Sequence, residues 1–263
     1  MTAPKATDDA AATTGADGTT TPKAIDDPAG PEGPGPWQTA TIVAVKAETP
    51  TAKSLRLALA SPSLRLAGQH YLVRLTAPDG YTATRSYSVA SPPDGSDELE
   101  LTVERLEDGE VSTFLHDVAQ VGDELEVRGP IGGWFVWTGE TPATLVGGGS
   151  GVVPLMAMLR LARRNNHADR VRLVVSARTP GDLYYAEELK GPETTIVYTR
   201  ETPASWPRPP GRLSVNDLAP ALLPGATSYV CGSPGFADAA GSLLVGLGVP
   251  VDSIRVERFG PTQ

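Results

Sequence analysis

The 263-residue chain reads as an antiparallel β barrel or sandwich followed by an α/β domain with a parallel sheet. Three observations carry this. Between residues 37 and 137 the apolar pattern is short, mostly alternating, and punctuated by Pro, Gly, Asp and Ser. From Thr144 onward, short apolar runs alternate with segments of helical period. Ahead of both, residues 1–36 contain only Met1 and Ile25 as large apolar side chains.

The leading 36 residues include eight Ala, seven Thr, six Pro, five Gly and five Asp. Such a stretch buries too little surface to offset the entropy of ordering, so a disordered tail is expected. The strands predicted after it are 39–47, 54–60, 71–75, 87–90, 99–103 and 125–127. In the second, Leu55, Leu57 and Leu59 share one face. One helix interrupts the series, with Val111, Phe114, Leu115 and Val118 at helical spacing and Gly122-Asp123 as its stop. The period changes near 139–141, which divides the chain into a tail (1–36), a β domain (37–139) and an α/β domain (140–263). In the last, strands are predicted at 144–146, 172–176, 195–198, 228–231 and 255–259. Helices are predicted at 152–162, 183–189, 215–218 and 235–247. This alternation places helices on both faces of a parallel sheet.

Composition excludes several functions. One cysteine cannot ligate an iron–sulfur cluster or build a disulfide scaffold. A sequence pI near 4.9 argues against general binding to nucleic acid or anionic lipid. Of the formal net charge of -9, the tail carries -4, from two Lys against five Asp and one Glu. Three scattered histidines do not suggest a metal site. No run of about 18 apolar residues is present, so no membrane span is expected. The tail lacks the apolar core of a secretory signal, and with a lone cysteine a cytoplasmic address is the economical reading.

Two local features carry chemistry. Leu145-Val146-Gly147-Gly148-Gly149-Ser150-Gly151-Val152-Val153-Pro154 is a strand, a glycine turn and a helix start. Glycines let a backbone approach a pyrophosphate, and the helix N-terminus offers free N–H groups. Gly149, Ser150, Gly151 and Pro154 are therefore candidate nucleotide contacts. Gly147 and Gly149 fit the dinucleotide fingerprint, but Val152 stands at its third glycine. The second strand lacks the acidic residue that binds a ribose hydroxyl and ends in Ser176-Ala177-Arg178; the third ends in Thr199-Arg200. Ser176, Arg178, Thr199 and Arg200 suit a 2′-phosphate, which favours NADPH, with NADH the alternative. A turn without a ligand and two solvated arginines are the competing readings.

In the β half, Thr84-Arg85-Ser86-Tyr87-Ser88 places an Arg, an aromatic ring and hydroxyls on a strand. Gly109-Glu110-Val111-Ser112 opens the one helix there and supplies a second anion site. A flavin nucleotide needs such parts, although a structural strand accounts for the composition equally well.

Together these residues resemble the ferredoxin–NADP reductase superfamily, in order from Trp37 to the C-terminus. Arg85-Ser86-Tyr87-Ser88 looks like its R-x-Y-S flavin motif, and Gly109–Ser112 like its G-x-x-S phosphate motif. Gly129-Pro130-Ile131-Gly132-Gly133-Trp134-Phe135 approximates its G-P-x-G-x-F segment with one residue inserted. Cys231-Gly232-Ser233-Pro234-Gly235-Phe236 resembles its C-G-x-x-x-apolar segment, and Glu257-Arg258-Phe259 its acidic-x-aromatic ending. Here Gly260-Pro261-Thr262-Gln263 continues past that aromatic. The likeness is to two-domain, actinobacterial-type reductases without an iron–sulfur domain.

The resemblance implies a six-stranded flavin-binding barrel and a Rossmann-like nucleotide domain. It implies that Arg85 and the 109–112 turn (Gly109, Glu110, Val111, Ser112) hold the phosphates of FAD, with FMN the alternative. Tyr87 packs on the flavin ring, Phe259 covers its other face, and Ser86 belongs to the same motif. Ser88 bonds near the flavin N5, and Val103, Glu104 and Arg105 line the ribityl and adenosine path. Cys231, with Gly232 and Phe236 of its segment, sits where the nicotinamide approaches, and Glu257 positions it or relays a proton. Ser88, Cys231 and Glu257 are thus the candidate catalytic residues. His70 and His116 are assigned to structure.

The expected function is hydride transfer from NADPH to FAD, with electrons passed to a separate acceptor such as ferredoxin or a metalloprotein. One cysteine and an apolar-poor tail leave no room for a fused acceptor. A flavin or ferric-siderophore reductase is the first alternative, and a non-enzymatic nucleotide-binding subunit the second.

Overall fold

The computed structural model describes residues 35–62 and 64–260. All but the last two residues of the expected disordered tail lie outside that range. The β half is a six-stranded antiparallel sheet built from β1 (Gln38–Thr49), β2 (Ala52–Leu59), β3 (His70–Thr76), β4 (Thr82–Ser88), β5 (Glu98–Glu104) and β6 (Glu124–Ile131). Its order is β4-β3-β6-β1-β2-β5. A bridge between Val89 and Leu101 brings the exit of β4 to β5 and closes the sheet into a barrel. The alternation of Leu55, Leu57 and Leu59 is realised, and they pack inside with Tyr71, Val73, Leu99 and Leu101.

Two expectations in this half shift. The fourth strand begins at Thr82, well before residue 87, because Thr82–Ser88 pairs continuously with β3. The helix over 111–118 is instead a short α1 (Glu110–Thr113) running into a wide π turn, Phe114–Val118. The wider turn breaks the 3.6-residue period, so Leu115 is buried while Val118 is 61% exposed.

The second half is a five-stranded parallel sheet of order β11-β10-β7-β8-β9. Its strands are β7 (Ala143–Gly148), β8 (Val171–Ala177), β9 (Thr194–Tyr198), β10 (Thr227–Gly232) and β11 (Ile254–Arg258). Alternate strand residues face opposite layers. Leu145, Leu173 and Val175 meet α2 (Val152–Arg164); Val146, Val174 and Val230 meet α3 (Val215–Leu218) and α4 (Pro234–Gly246).

Ten of the thirteen residues of α2 are buried, more than one sheet face can cover. Its outer side packs on Ala52, Ala67, Ala90, Phe135 and Trp137 of the first half, in one continuous core. The helix expected over 183–189 does not form. Tyr185 there adopts the left-handed region at φ 54°, and only single 3-10 turns flank it, Pro180–Asp182 and Glu188–Lys190. A left-handed aromatic residue cannot continue a right-handed helix.

Candidate active site between the two sheets

The order of the parallel sheet reverses between β7 and β10, so a crevice opens at the carboxyl ends of these strands. The glycine turn sits there. Gly149–Gly151 form a 3-10 turn that leads into α2. A Cβ on Gly151 would lie 2.2 Å from the carbonyl oxygen of Cys231, so glycine is what lets the helix start rest on the end of β10. A Cβ on Gly148 or Gly232 would strike the Phe236 ring. Gly149 differs: at φ 57° its missing Cβ would point into open space, where a ligand can approach the backbone. Ser150 is half-exposed beside it, and Pro154 is buried in the first turn of α2.

Facing this crevice is a cavity of about 380 Å³ whose walls come from both sheets. The barrel contributes His70, Leu72, Thr84, Arg85, Ser86 and Ser88; the chain end contributes Glu257, Arg258, Phe259 and Gly260. The register places His70 directly opposite Ser88 and Leu72 opposite Ser86. Ser88 is 5% exposed, and its Oγ is buried without a hydrogen-bond partner among the described residues. A buried orphan hydroxyl on a cavity wall is a donor awaiting a ligand. Arg85 is exposed and donates from Nη1 to the Thr84 carbonyl at 2.8 Å.

Tyr87 is not part of that wall. It packs against the barrel core, and burial pushes its hydroxyl pKa well up, so it stays protonated. Cys231 pairs in register with Glu257, their Sγ and Oε2 atoms 4.0 Å apart. Burial, then the neighbouring carboxylate, raises the Cys231 thiol well above its ordinary value. It is neutral near pH 7 and not a thiolate nucleophile. The Phe259 amide donates to the Gly232 carbonyl at 2.9 Å, which seats the half-buried ring beside this pair.

The remaining candidates divide. Ser112 is buried, and its Oγ accepts from the Leu106 amide and donates to the Gly109 carbonyl. The hydroxyl thus shapes the turn and leaves the first-turn amides at Glu110, Val111 and Ser112 for an anion. Val111 is itself a core residue, and Glu110 accepts from the Tyr81 hydroxyl at 3.1 Å. The Val103 side chain is fully buried in the barrel core, so only its backbone can meet a ligand. Glu104 is half-buried near the Tyr184 hydroxyl, and Arg105 pairs with Asp117 at 2.8 Å. In the parallel sheet, Ser176, Arg178, Thr199 and Arg200 cluster at one edge. The Arg200 amide bonds the Arg178 carbonyl at 2.9 Å, and both guanidinium groups are exposed. His70, assigned to structure from sequence, is a wall residue; its position opposite Ser88 was the missing signal.

A flavin and a nicotinamide nucleotide fit these residues. The orphan Ser88 hydroxyl meets one requirement, and the open face at Gly149 meets the other. The oxidoreductase FAD-binding domain family matches residues 39–136, and the oxidoreductase NAD-binding domain family matches residues 145–241. Fold and site therefore define a flavin- and NAD(P)-binding oxidoreductase module.

Relatives agree. The chain is 29% identical over 230 residues to the reductase component of naphthalene 1,2-dioxygenase/salicylate 5-hydroxylase systems of Ralstonia sp., covering 84% of this chain and 69% of that protein. It is 30% identical to the propane 2-monooxygenase reductase component of Rhodococcus jostii, over 66% of this chain and 51% of that protein. It is 31% identical to the phenol 2-monooxygenase reductase component of Pseudomonas sp. CF600, over 80% and 62%. This chain thus spans between half and about two thirds of their lengths. Among solved structures, the FAD/NAD-binding domain of nitric oxide dioxygenase from Vibrio cholerae aligns with TM-score 0.75 and 25% identity, over 85% of this chain and 99% of that one. The Amycolatopsis cytochrome P450 reductase aligns with TM-score 0.70 and 26% identity, over 86% and 70%. The chain belongs to the ferredoxin–NADP reductase superfamily.

Proposed function

We propose that this protein takes electrons from NADPH through FAD and delivers them to a separate redox protein; the likeness to proteins named as reductase components of oxygenase systems supports this reading. The observation that carries the reading is one shared cavity. Ser88 brings an unpaired donor to it from the barrel, while Glu257 and Phe259 bring the Cys231 corner of the nucleotide-binding sheet.

When bound, the flavin supplies the conversion of a two-electron donor into one-electron deliveries. The residues here bind, orient and exclude water. Arg85 and the first-turn amides of α1 hold the FAD phosphates, with Glu104 and Arg105 beside the adenosine path. Ser88 donates to the flavin edge, and Ser86 shares its wall. Phe259 shields the site from water, and Glu257 with the neutral Cys231 forms the wall where the nicotinamide docks. Gly149–Gly151 receive the NADPH pyrophosphate, Gly232 and Phe236 close the same crevice, and Ser176, Arg178, Thr199 and Arg200 take the 2′-phosphate.

We place the boundary between the two cofactor domains at 139/140 and the protein in the cytoplasm. No helix among the described residues is long and apolar enough to cross a membrane. The test is an anaerobic absorbance titration of the purified full chain. A yellow protein bleached by NADPH at lower concentration than by NADH, then reoxidised by a haem or iron–sulfur acceptor protein, is expected. A colourless protein that takes up no added FAD refutes the reading.

A further inference from the structure

A dense polar cluster lies outside the cavity, on the seam between the two sheets. Arg160, on α2, is its centre. Its Nη1 donates to the Ala90 carbonyl at 3.0 Å and to Glu100 Oε1 at 2.8 Å, both in the barrel half. Its Nε and Nη2 hold both oxygens of Glu188 in the nucleotide half, at 2.8 and 2.6 Å. The guanidinium lies 5.0 Å over the ring of Tyr185. Tyr185 is fully buried, and its hydroxyl crosses the seam to Thr102 Oγ1 at 2.5 Å. Its amide donates to Glu48 Oε2 at 3.2 Å, and Ser54 Oγ joins Thr102 and Glu48 at 2.7 and 2.9 Å.

The positions of the anchors matter more than their number. Ala90 stands two residues beyond Ser88 on the exit of β4. Arg160 stands nine residues beyond Gly151 on the helix that the nucleotide turn opens. At a helical rise of about 1.5 Å per residue that is roughly 13 Å along a rigid rod. One side chain therefore joins the helix carrying the nucleotide turn to the strand carrying the flavin-facing hydroxyl. Elsewhere the seam has the looser Arg164–Asp94 ion pair at 3.6 Å, the Tyr229 and Arg255 bonds to the Val136 carbonyl at 2.8 and 3.0 Å, and apolar contact, which resists separation but is non-directional. Bidentate and charge-assisted bonds fix direction as well as distance. The left-handed backbone of Tyr185 is held in place by the same anchors.

We propose that Arg160 is a positioning residue for hydride transfer, setting the nicotinamide-nucleotide turn against the flavin strand through Ala90, Glu100, Glu188 and Tyr185. The proposal rests on the functional reading above. Arg160 lines neither the cavity nor the glycine turn, so its signature is a fall in transfer rate at unchanged binding.

The test uses the full chain loaded with FAD, as Arg160→Gln, Arg160→Lys and Glu100→Gln. Anaerobic stopped-flow mixing with NADPH gives the saturating rate of flavin bleaching, the nucleotide Kd and the long-wavelength charge-transfer absorbance. Hydrogen exchange at the amides of 88–91 and 185–188 reports the seam without turnover. For Arg160→Gln the saturating rate is expected to fall on the order of 10–100-fold, the scale of an ångström-sized misplacement. The Kd stays within about 3-fold, the split that marks an interaction used for geometry rather than affinity. Charge-transfer absorbance weakens, seam exchange accelerates, and Arg160→Lys recovers part of the rate. A normal rate with normal charge-transfer absorbance overturns the proposal, whatever happens to Tm. If Arg160→Gln does not fold, Glu100→Gln decides: it keeps the Arg160–Glu188 pair and must show the same split in smaller measure. Failure of both nucleotides to bleach the unsubstituted protein refutes the functional reading, and the positioning role falls with it.

Discussion

Gly151→Ala isolates the contact on which the nucleotide crevice depends. Gly151 has φ -63° and ψ -10°, so alanine meets no backbone strain of its own. The new methyl would lie 2.2 Å from the Cys231 carbonyl oxygen and 2.5 Å from the Gly232 amide nitrogen. Both are backbone atoms inside β10, and neither can rotate away. Reaching ordinary contact at 3.4 Å from that oxygen means a shift of about 1.2 Å, taken by the start of α2. Overpacking of this kind costs about 1–3 kcal/mol. For a protein of this size each kcal/mol lowers Tm by about 2–4 °C. The same shift displaces the nucleotide turn from the flavin wall, which costs on the order of 100-fold in transfer rate. The assay pairs a thermal melt of the FAD-loaded protein with stopped-flow reduction by NADPH. Gly149→Ala is the contrast, because its methyl enters open space at φ 57°. It carries about 1–2 kcal/mol of left-handed strain and weakens nucleotide binding, while the helix stays seated. A Gly151→Ala protein that melts and reduces like the parent would show that α2 is not held against β10 by this contact.

Ser88→Ala removes a hydroxyl with no partner among the described residues, so flavin-free Tm should hold or rise by up to a few degrees. Flavin reduction should slow in the same variant, and a clear loss of flavin-free stability would contradict the orphan assignment. Arg178→Ala with Arg200→Ala should erode the preference for NADPH over NADH by about 10–100-fold, the worth of one or two charge-assisted bonds. A parent enzyme with higher kcat/KM for NADH would remove the basis of that assignment. Cys231 is raised by burial and by Glu257, so its thiolate population lies below that of a free cysteine at every pH up to its own pKa. Alkylation by iodoacetamide should therefore be slow between pH 7 and 9 and climb only at higher pH. Glu257→Gln should move that rise to lower pH, and an unmoved profile would sever the coupling.

The parts of the fold that were legible in sequence are those where one face decides everything. Leu55, Leu57 and Leu59 alternate because one side of β2 is core. The nucleotide turn is legible because only glycine answers both a left-handed residue at 149 and the close approaches of Phe236 and Cys231 at 148 and 151. The segment 183–189 misled because its apolar residues follow a helical period while serving a seam instead. Leu183 and Leu189 pack with α2, and Tyr185 is turned through φ 54° to reach Thr102 across 83 positions of sequence. No local pattern encodes that partner. The inward face of Val103 was likewise not legible, since adjacency to a motif does not say which face of a strand points inward.

The sequence alone determined the class: an antiparallel barrel, a parallel sheet with a glycine turn, and ordered motifs for two nucleotides. These depend on short-range chemistry, namely period, turn conformation and hydroxyl or guanidinium at strand ends. Only the tertiary structure decided how the two halves face each other. It set His70 opposite Ser88, put Glu257 beside Cys231, and made Arg160 the join between the nucleotide helix and the flavin strand. Those pairings come from strand register and from a helix buried on two sides, and residues far apart in sequence meet only once both cores have closed.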